Sequence, residues 1–159
     1  MNIIDAHSHL WLQQDTWVNG KRILSKQDGR SIFMDEEVQM LPPFMIEGKN
    51  TAEIFLSNMN YAQVGGAVVV QEIIDGNQNS YLQKVQEKYP NRFFCMGMAN
   101  DLEEAQAVCQ AGLKGIAFPG HRIQTPLTSF LPIFKMMESK HMVLSMCLGE
   151  DERQIGEMK

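Results

Sequence analysis

Apolar residues fall along this chain in short β-branched runs separated by stretches of helical period. The first run predicts a strand over Asn2–His7. A continuous run, Ala67–Val70, follows Gly65-Gly66 and predicts a strand covered on both faces. Arg92–Met98, Gly115–Phe118 and Met142–Cys147 predict three more. Asn50 with Glu53 resembles a capping box opening a helix that reaches about Gln63. A second helix carries Tyr81, Leu82, Val85 and Tyr89 on one face and stops at Pro90. Asp101 with Glu104 three residues on starts a third, which ends at Gly112. A fourth runs from about Ser129 to Lys140, with Pro132 tolerated in its first turn.

After the first unit, strands recur at intervals of roughly 20–30 residues with a helix between each pair, which implies crossover connections and a parallel sheet. The fold class is therefore α/β. No sequence repeat accompanies the period. Residues 10–50 break it, since a βα loop ordinarily takes about 2–6 residues. Within this insertion Lys21–Ser25 and Arg30–Met34 flank Gln27-Asp28-Gly29, a hairpin turn signal. Trp11, Trp17 and Phe33 lie there beside Pro42-Pro43. The insertion leaves the carboxyl end of the first strand. A lid over a site, a packing arm and a subunit contact are the three readings it allows.

Composition narrows the class. At 159 residues the chain is read as one domain, 1–159, with enough length for a real core. A hydrophobic share of 44% against 21% charged residues excludes disorder and fibrous classes. The net charge of −5 comes with no basic patch, which argues against nucleic acid or an anionic membrane as partner. No apolar run approaches the ~20 residues of a membrane span, and no charged-then-apolar leader opens the sequence. Cys95, Cys109 and Cys147 are odd in number and lack metal-type spacing, so a reduced, cytoplasmic setting is expected. The twelve methionines read as core filling.

The candidate chemistry lies at the end of the first strand. Alternation puts Asp5, His7 and His9 on one side and Ala6 and Ser8 on the other. Two residues of strand span about 6.6 Å, so both imidazoles reach one ion through contacts of roughly 2.0–2.1 Å. The bland alternative is a pair of satisfied histidines closing a core strand.

Ile4-Asp5-Ala6-His7-Ser8-His9-Leu10-Trp11 and Gly65-Gly66-Ala67-Val68-Val69-Val70-Gln71 resemble the amidohydrolase-related metal-dependent hydrolases, which are (β/α)8 barrels. Weaker likeness continues through residues 79–94, Gly112–Phe118 and Leu131-Pro132-Ile133-Phe134. The first motif is the specific one. It is most similar to the branch holding lactone hydrolases and aminocarboxymuconate-semialdehyde-type decarboxylases. A full barrel takes about 250 residues, so the resemblance implies a partial (β/α)8 barrel: about five βα units with parallel strands, truncated at the C-terminal side. Residues 150–159 then read as the opening of a fifth helix, and the sheet has open edges that invite pairing with another chain, including a homo-oligomer. A self-sufficient open sheet is the alternative.

The resemblance also implies a divalent ion, zinc first and manganese second, with His7 and His9 as ligands. The family's strand-five histidine has no counterpart in residues 142–149, where Cys147 is the nearest soft donor. That gap also fits a branch in which the metal is dispensable. His141 precedes the fifth strand and so lies at the wrong end of the barrel; Lys114 likewise begins the fourth strand and is a poor bridging lysine. Barrel chemistry gathers where strands end. Glu72 and His121 are thus the acid/base candidates, and Arg122, Gln71 and Trp11 the substrate contacts, with Arg122 suited to an anionic small molecule. Asp101 reads as a helix cap. The implied activity is hydrolysis of a small carbonyl compound, a lactone first, with the ion polarising the carbonyl and activating water. Decarboxylation on the same scaffold and an inactive remnant that serves association are the rivals.

Overall fold

The computed structural model describes residues 3–148 together with Gln154 and Gly156. In chain order, β1 (Ile3–Ser8) is followed by β2 (Asp15–Val18), β3 (Lys21–Ser25), β4 (Arg30–Phe33) and β5 (Glu36–Gln39). Then come α1 (Ala52–Tyr61), β6 (Val64–Val69), α2 (Asn79–Lys88), β7 (Phe93–Gly97), α3 (Leu102–Gln110), β8 (Gly115–Phe118), α4 (Leu131–Ser139) and β9 (Val143–Met146). Asn2, where the first strand is expected to open, and the helix expected over 150–159 lie outside the described residues, Gln154 and Gly156 excepted; both of these are helical.

Strands β1, β6, β7, β8 and β9 pair in that order, all parallel, with a helix in each crossover. The sheet curls as part of a (β/α)8 barrel, so the fold is α/β with the expected architecture. The apolar run in β6 serves two layers. Ala67 and Val69 pack with Cys95 and Ile116 beneath Leu82, Val85, Val108 and Ile133 of the helices. Val70, next to Val68, packs with Phe94, Met96 and Ala117 on the concave side. This is the period-two alternation of a strand buried from both sides. The outer strands are less covered: Ile4 is 63% and Leu144 41% exposed.

The insertion is more regular than the single hairpin read from sequence. Strands β2–β5 form a four-stranded antiparallel sheet. Its turns at Asn19-Gly20 (φ 51° and 76°) and Met34-Asp35 (φ 54° and 72°) keep both central residues left-handed, the conformation whose twist matches a hairpin. Asn-Gly is a strong signal for that turn; Met-Asp carries none. At the expected turn, Gly29 (φ 72°) passes so near the returning chain that a Cβ would lie 2.6 Å from the Pro42 carbonyl oxygen. The neck closes where the Trp11 and Asn50 backbones exchange hydrogen bonds of 3.0 and 3.1 Å.

That closure moves a helix cap. The Asn50 side chain donates to the His9 carbonyl (2.8 Å), so Thr51, not Asn50, caps α1, its hydroxyl accepting from Ile54 N. Glu53 pairs with Lys88 at 3.0 Å instead of completing a box. At α3, Asp101 caps as expected (Glu104 N to Oδ1, 2.9 Å), while the Glu104 carboxylate accepts from Asn100 N. Among the described residues no helix is long and apolar enough to cross a membrane.

Candidate active site

At the carboxyl ends of the parallel strands, His7, His9, Glu72, His121, Ser145 and Cys147 line one cavity of about 90 Å³. A far larger one, about 820 Å³, lies between residues 44–49 and α1 and contains no histidine. The histidines at the strand ends therefore gather in the small cavity.

A break in the β1 ladder shapes it. The register of β1 against β6 shifts between Asp5 and Ser8, and His7 N donates to the Asp5 carboxylate (3.1 Å). Such bulges re-aim side chains near active sites. Here the Nε2 atoms of His7 and His9 stand 3.1 Å apart, with the rings edge to face at 71°. His9 Nδ1 lies 3.1 Å from the Val70 carbonyl oxygen, which only accepts, so Nδ1 carries the hydrogen and Nε2 of the neutral ring holds a lone pair. Burial lowers the His9 pKa against the opposing effects of Val70 and Glu72, favouring that neutral ring. Two facing nitrogens at this distance need a proton or a cation between them. A tetrahedral ion with bonds of roughly 2.0–2.1 Å spaces its ligands by about 3.3 Å, so the pair fits two corners of a divalent metal site. Among the described residues no group of three or more His, Cys, Asp or Glu side chains is placed to hold an ion.

Beside the pair, Glu72 joins the ends of β6 and β8. Its Oε1 accepts from Ile73 N (2.8 Å) and from Arg122 Nε (3.1 Å), and its Oε2 lies 3.3 Å from His121 Nε2. His121 and Arg122 sit on a short 3-10 turn after β8, tied to β9 where His121 N donates to the Cys147 carbonyl. Gly120 makes room for that tie, since a Cβ would meet the same carbonyl oxygen at 2.7 Å.

The other sequence candidates have different surroundings. Gln71 is buried and donates to Asn79 Oδ1 (2.6 Å) and the Met96 carbonyl (3.2 Å), while its Oε1 accepts from Gln78 N. Trp11 is buried with its indole N–H on the Gly48 carbonyl (2.8 Å) at the insertion's neck. Cys147 is exposed at the cavity wall. Lys114 lines a cavity with Pro90 and Arg92 at the opposite end of the sheet, and His141 precedes β9.

Sequence reasoning passed over Asp75 and Gln14. Asp75 ends a 3-10 turn just after Glu72; its side chain is 4% exposed, with Oδ2 3.8 Å from His9 Nδ1. Oδ1 accepts from Gln14 Nε2 at 2.7 Å. Burial pushes the Asp75 carboxyl up to about 6, against the lowering effect of Gln14. An acidic residue so soon after a barrel strand was the available signal.

Comparison with known proteins bears on this geometry. A family model described as Amidohydrolase matches residues 4–158. None of the curated proteins matches the chain. Among solved structures, a probable 2-pyrone-4,6-dicarboxylic acid hydrolase from Acinetobacter baumannii, with citric acid bound, superposes with a TM-score of 0.61 at 18% identity, over 92% of this chain and 49% of that one. A 5-carboxyvanillate decarboxylase from Sphingomonas paucimobilis gives 0.62 at 15% identity, over 90% and 50%. A 5-carboxyvanillate decarboxylase from Novosphingobium aromaticivorans, holding manganese and a nitrobenzoic acid, gives 0.47 at 20% identity over 57% and 32%. The chain thus spans about half the length of the first and second of these structures and a third of the other.

Proposed function

The chain belongs to the amidohydrolase family, and from that premise we propose that it is a hydrolase, or the strand-one half of one, acting on a small anionic carbonyl compound, a lactone first. The observation that carries the reading is the convergence of the His7 and His9 Nε2 atoms, 3.1 Å apart, at the carboxyl end of the sheet. The two rings would hold a divalent ion, zinc or manganese. When bound, that ion supplies Lewis acidity toward a carbonyl oxygen.

The chain's own groups do the remainder. The His9 Nδ1–H on the Val70 carbonyl keeps Nε2 turned toward the cavity. Arg122, already oriented by Glu72, presents a planar fork suited to a substrate carboxylate. Glu72 accepts the proton released as water adds to the carbonyl carbon, and His121, 3.3 Å from it, returns a proton to the oxygen that leaves as the ring carbon–oxygen bond breaks. Glu72 and His121 are thus the acid/base pair, with Arg122 the anion contact; Gln71 shapes the cavity's wall through the bonds that occupy it, while Trp11 is held at the neck of the insertion.

Metal analysis after loading and desalting tests this directly. The expected content is about one zinc or manganese per chain, lost in His7→Ala and His9→Ala. Activity is then followed on a carboxylated pyrone lactone and, separately, on a carboxylated phenol. Ring opening supports the reading, whereas carbon dioxide release from the phenol alone would replace hydrolysis by decarboxylation. No retained metal in the parent chain rejects the ligand assignment.

A further inference from the structure

We propose that Asp75, held by Gln14, is a positioning residue for His9, so that the antiparallel insertion braces the candidate metal centre through a buried polar chain. This rests on the reading of His9 as a metal ligand. The chain starts in β3, where Ser25 N donates to the Gln14 carbonyl (2.8 Å) and Ser25 Oγ accepts from Gln14 N (3.2 Å). Gln14, thus clamped, points its amide at Asp75 Oδ1. The Asp75 backbone is fixed as well: its N–H donates to the Glu72 carbonyl (2.9 Å), and its carbonyl accepts from Gln78 Nε2 (2.8 Å). What is left is Oδ2, 3.8 Å from His9 Nδ1, whose hydrogen goes to the nearer Val70 carbonyl at 3.1 Å.

Gln14 and Asp75 are 2% and 3% exposed. Among the described residues the one ion-pair partner of Asp75 is His9. A carboxyl group kept inside the protein with no Lys or Arg within ion-pair distance, Arg122 acting on it only from farther away, is disfavoured unless it has another use. Behind a ligand histidine the use is specific. With the Nδ1–H on the Val70 carbonyl, a carboxylate 3.8 Å away adds its charge to the same preference: it favours that tautomer and raises the basicity of the opposite nitrogen, and loss of a carboxylate behind a ligand histidine lowers metal affinity by about 10–100-fold. Residues 14–25 therefore act on the site from behind His9, not as a cover above it.

The test uses the metal-free and metal-loaded forms of the same chain with nitrogen-15 histidine. In the metal-free parent, imidazole spectra are expected to show His9 as the Nδ1–H tautomer. Asp75→Asn, which keeps the shape of the side chain, and Gln14→Ala should both raise the share of the other tautomer while the His121 signals stay in place. Zinc affinity, measured by chelator competition, should fall by about 10–100-fold in Asp75→Asn. Circular dichroism reports whether each variant folds. An unchanged His9 spectrum in a folded Asp75→Asn overturns the proposal, because the Val70 carbonyl then orients the ring alone. A parent that binds no zinc overturns the ligand reading instead, and the ring spectrum still decides on Asp75.

Discussion

The carboxyl group of Asp75 is nearly sealed from solvent, and burial holds its pKa near 6 against an ordinary 3.8. Raised in the folded state, this group binds its proton more readily there than in the unfolded chain. Its contribution to stability is greatest below pH about 4 and is lost as pH rises through about 6. The shift corresponds to a penalty on the order of 2–3 kcal/mol at neutral pH. Asp75→Asn removes it, so the variant should gain on the parent as pH rises. Urea unfolding in chelator at pH about 4.5 and about 7.5 checks this, an equal difference at both being the contrary result. Arg122 carries a different expectation. If its fork holds the substrate anion, Arg122→Gln should raise KM by about 10–100-fold with a smaller change in kcat, the range of a hydrogen bond to a charged group. Initial rates on an anionic and a neutral lactone separate the two effects.

Among the strands and helices, local chemistry was readable where it did not depend on distant chain. Asp101 caps α3, and Gly112, with φ 76°, closes it, both as its neighbours in sequence imply. The start of α1 was misread by one residue because Asn50 is drawn into the bridge with Trp11, a partner across the whole insertion. The Met34-Asp35 turn was invisible because pairing of β4 with β5, not residue preference, holds it left-handed. Close packing of α3 on β7 yields a further prediction. A Cβ on Gly97 would lie 2.5 Å from Val108 Cγ1 and 3.2 Å from Asn79 Oδ1. Gly97→Ala should thus destabilise by about 1–3 kcal/mol, as overpacked cores do, and Val108→Ala should restore part of the loss in a double-mutant cycle.

For the molecule entire, the parallel sheet formed by the described residues has β1 and β9 as its outer strands, with Ile3, Ile4, Val143 and Leu144 exposed. Apolar outer strands with unpaired backbone groups are templates for association. A polypeptide of these 159 residues is expected to scatter light increasingly with concentration, and Leu144→Lys should lower that scattering without altering the circular dichroism. Equal scattering from both chains would show that this edge is not the contact. The order β1-β6-β7-β8-β9 also gathers His7 and His9, Glu72, and His121 with Arg122 at one end, because every parallel strand delivers its carboxyl end to the same face.

The α/β alternation, the parallel sheet and the histidine pair were determined by the sequence itself. Each rests on hydrophobic period or on residues two apart, and such relations survive in a linear string. Only the tertiary structure decided that the insertion is a second sheet, that Glu72 meets both His121 and, 50 positions on, Arg122, and that Asp75 and Gln14 meet beside His9. Those contacts join residues from separate loops, and their geometry is set by how the strands stack, which no local pattern encodes.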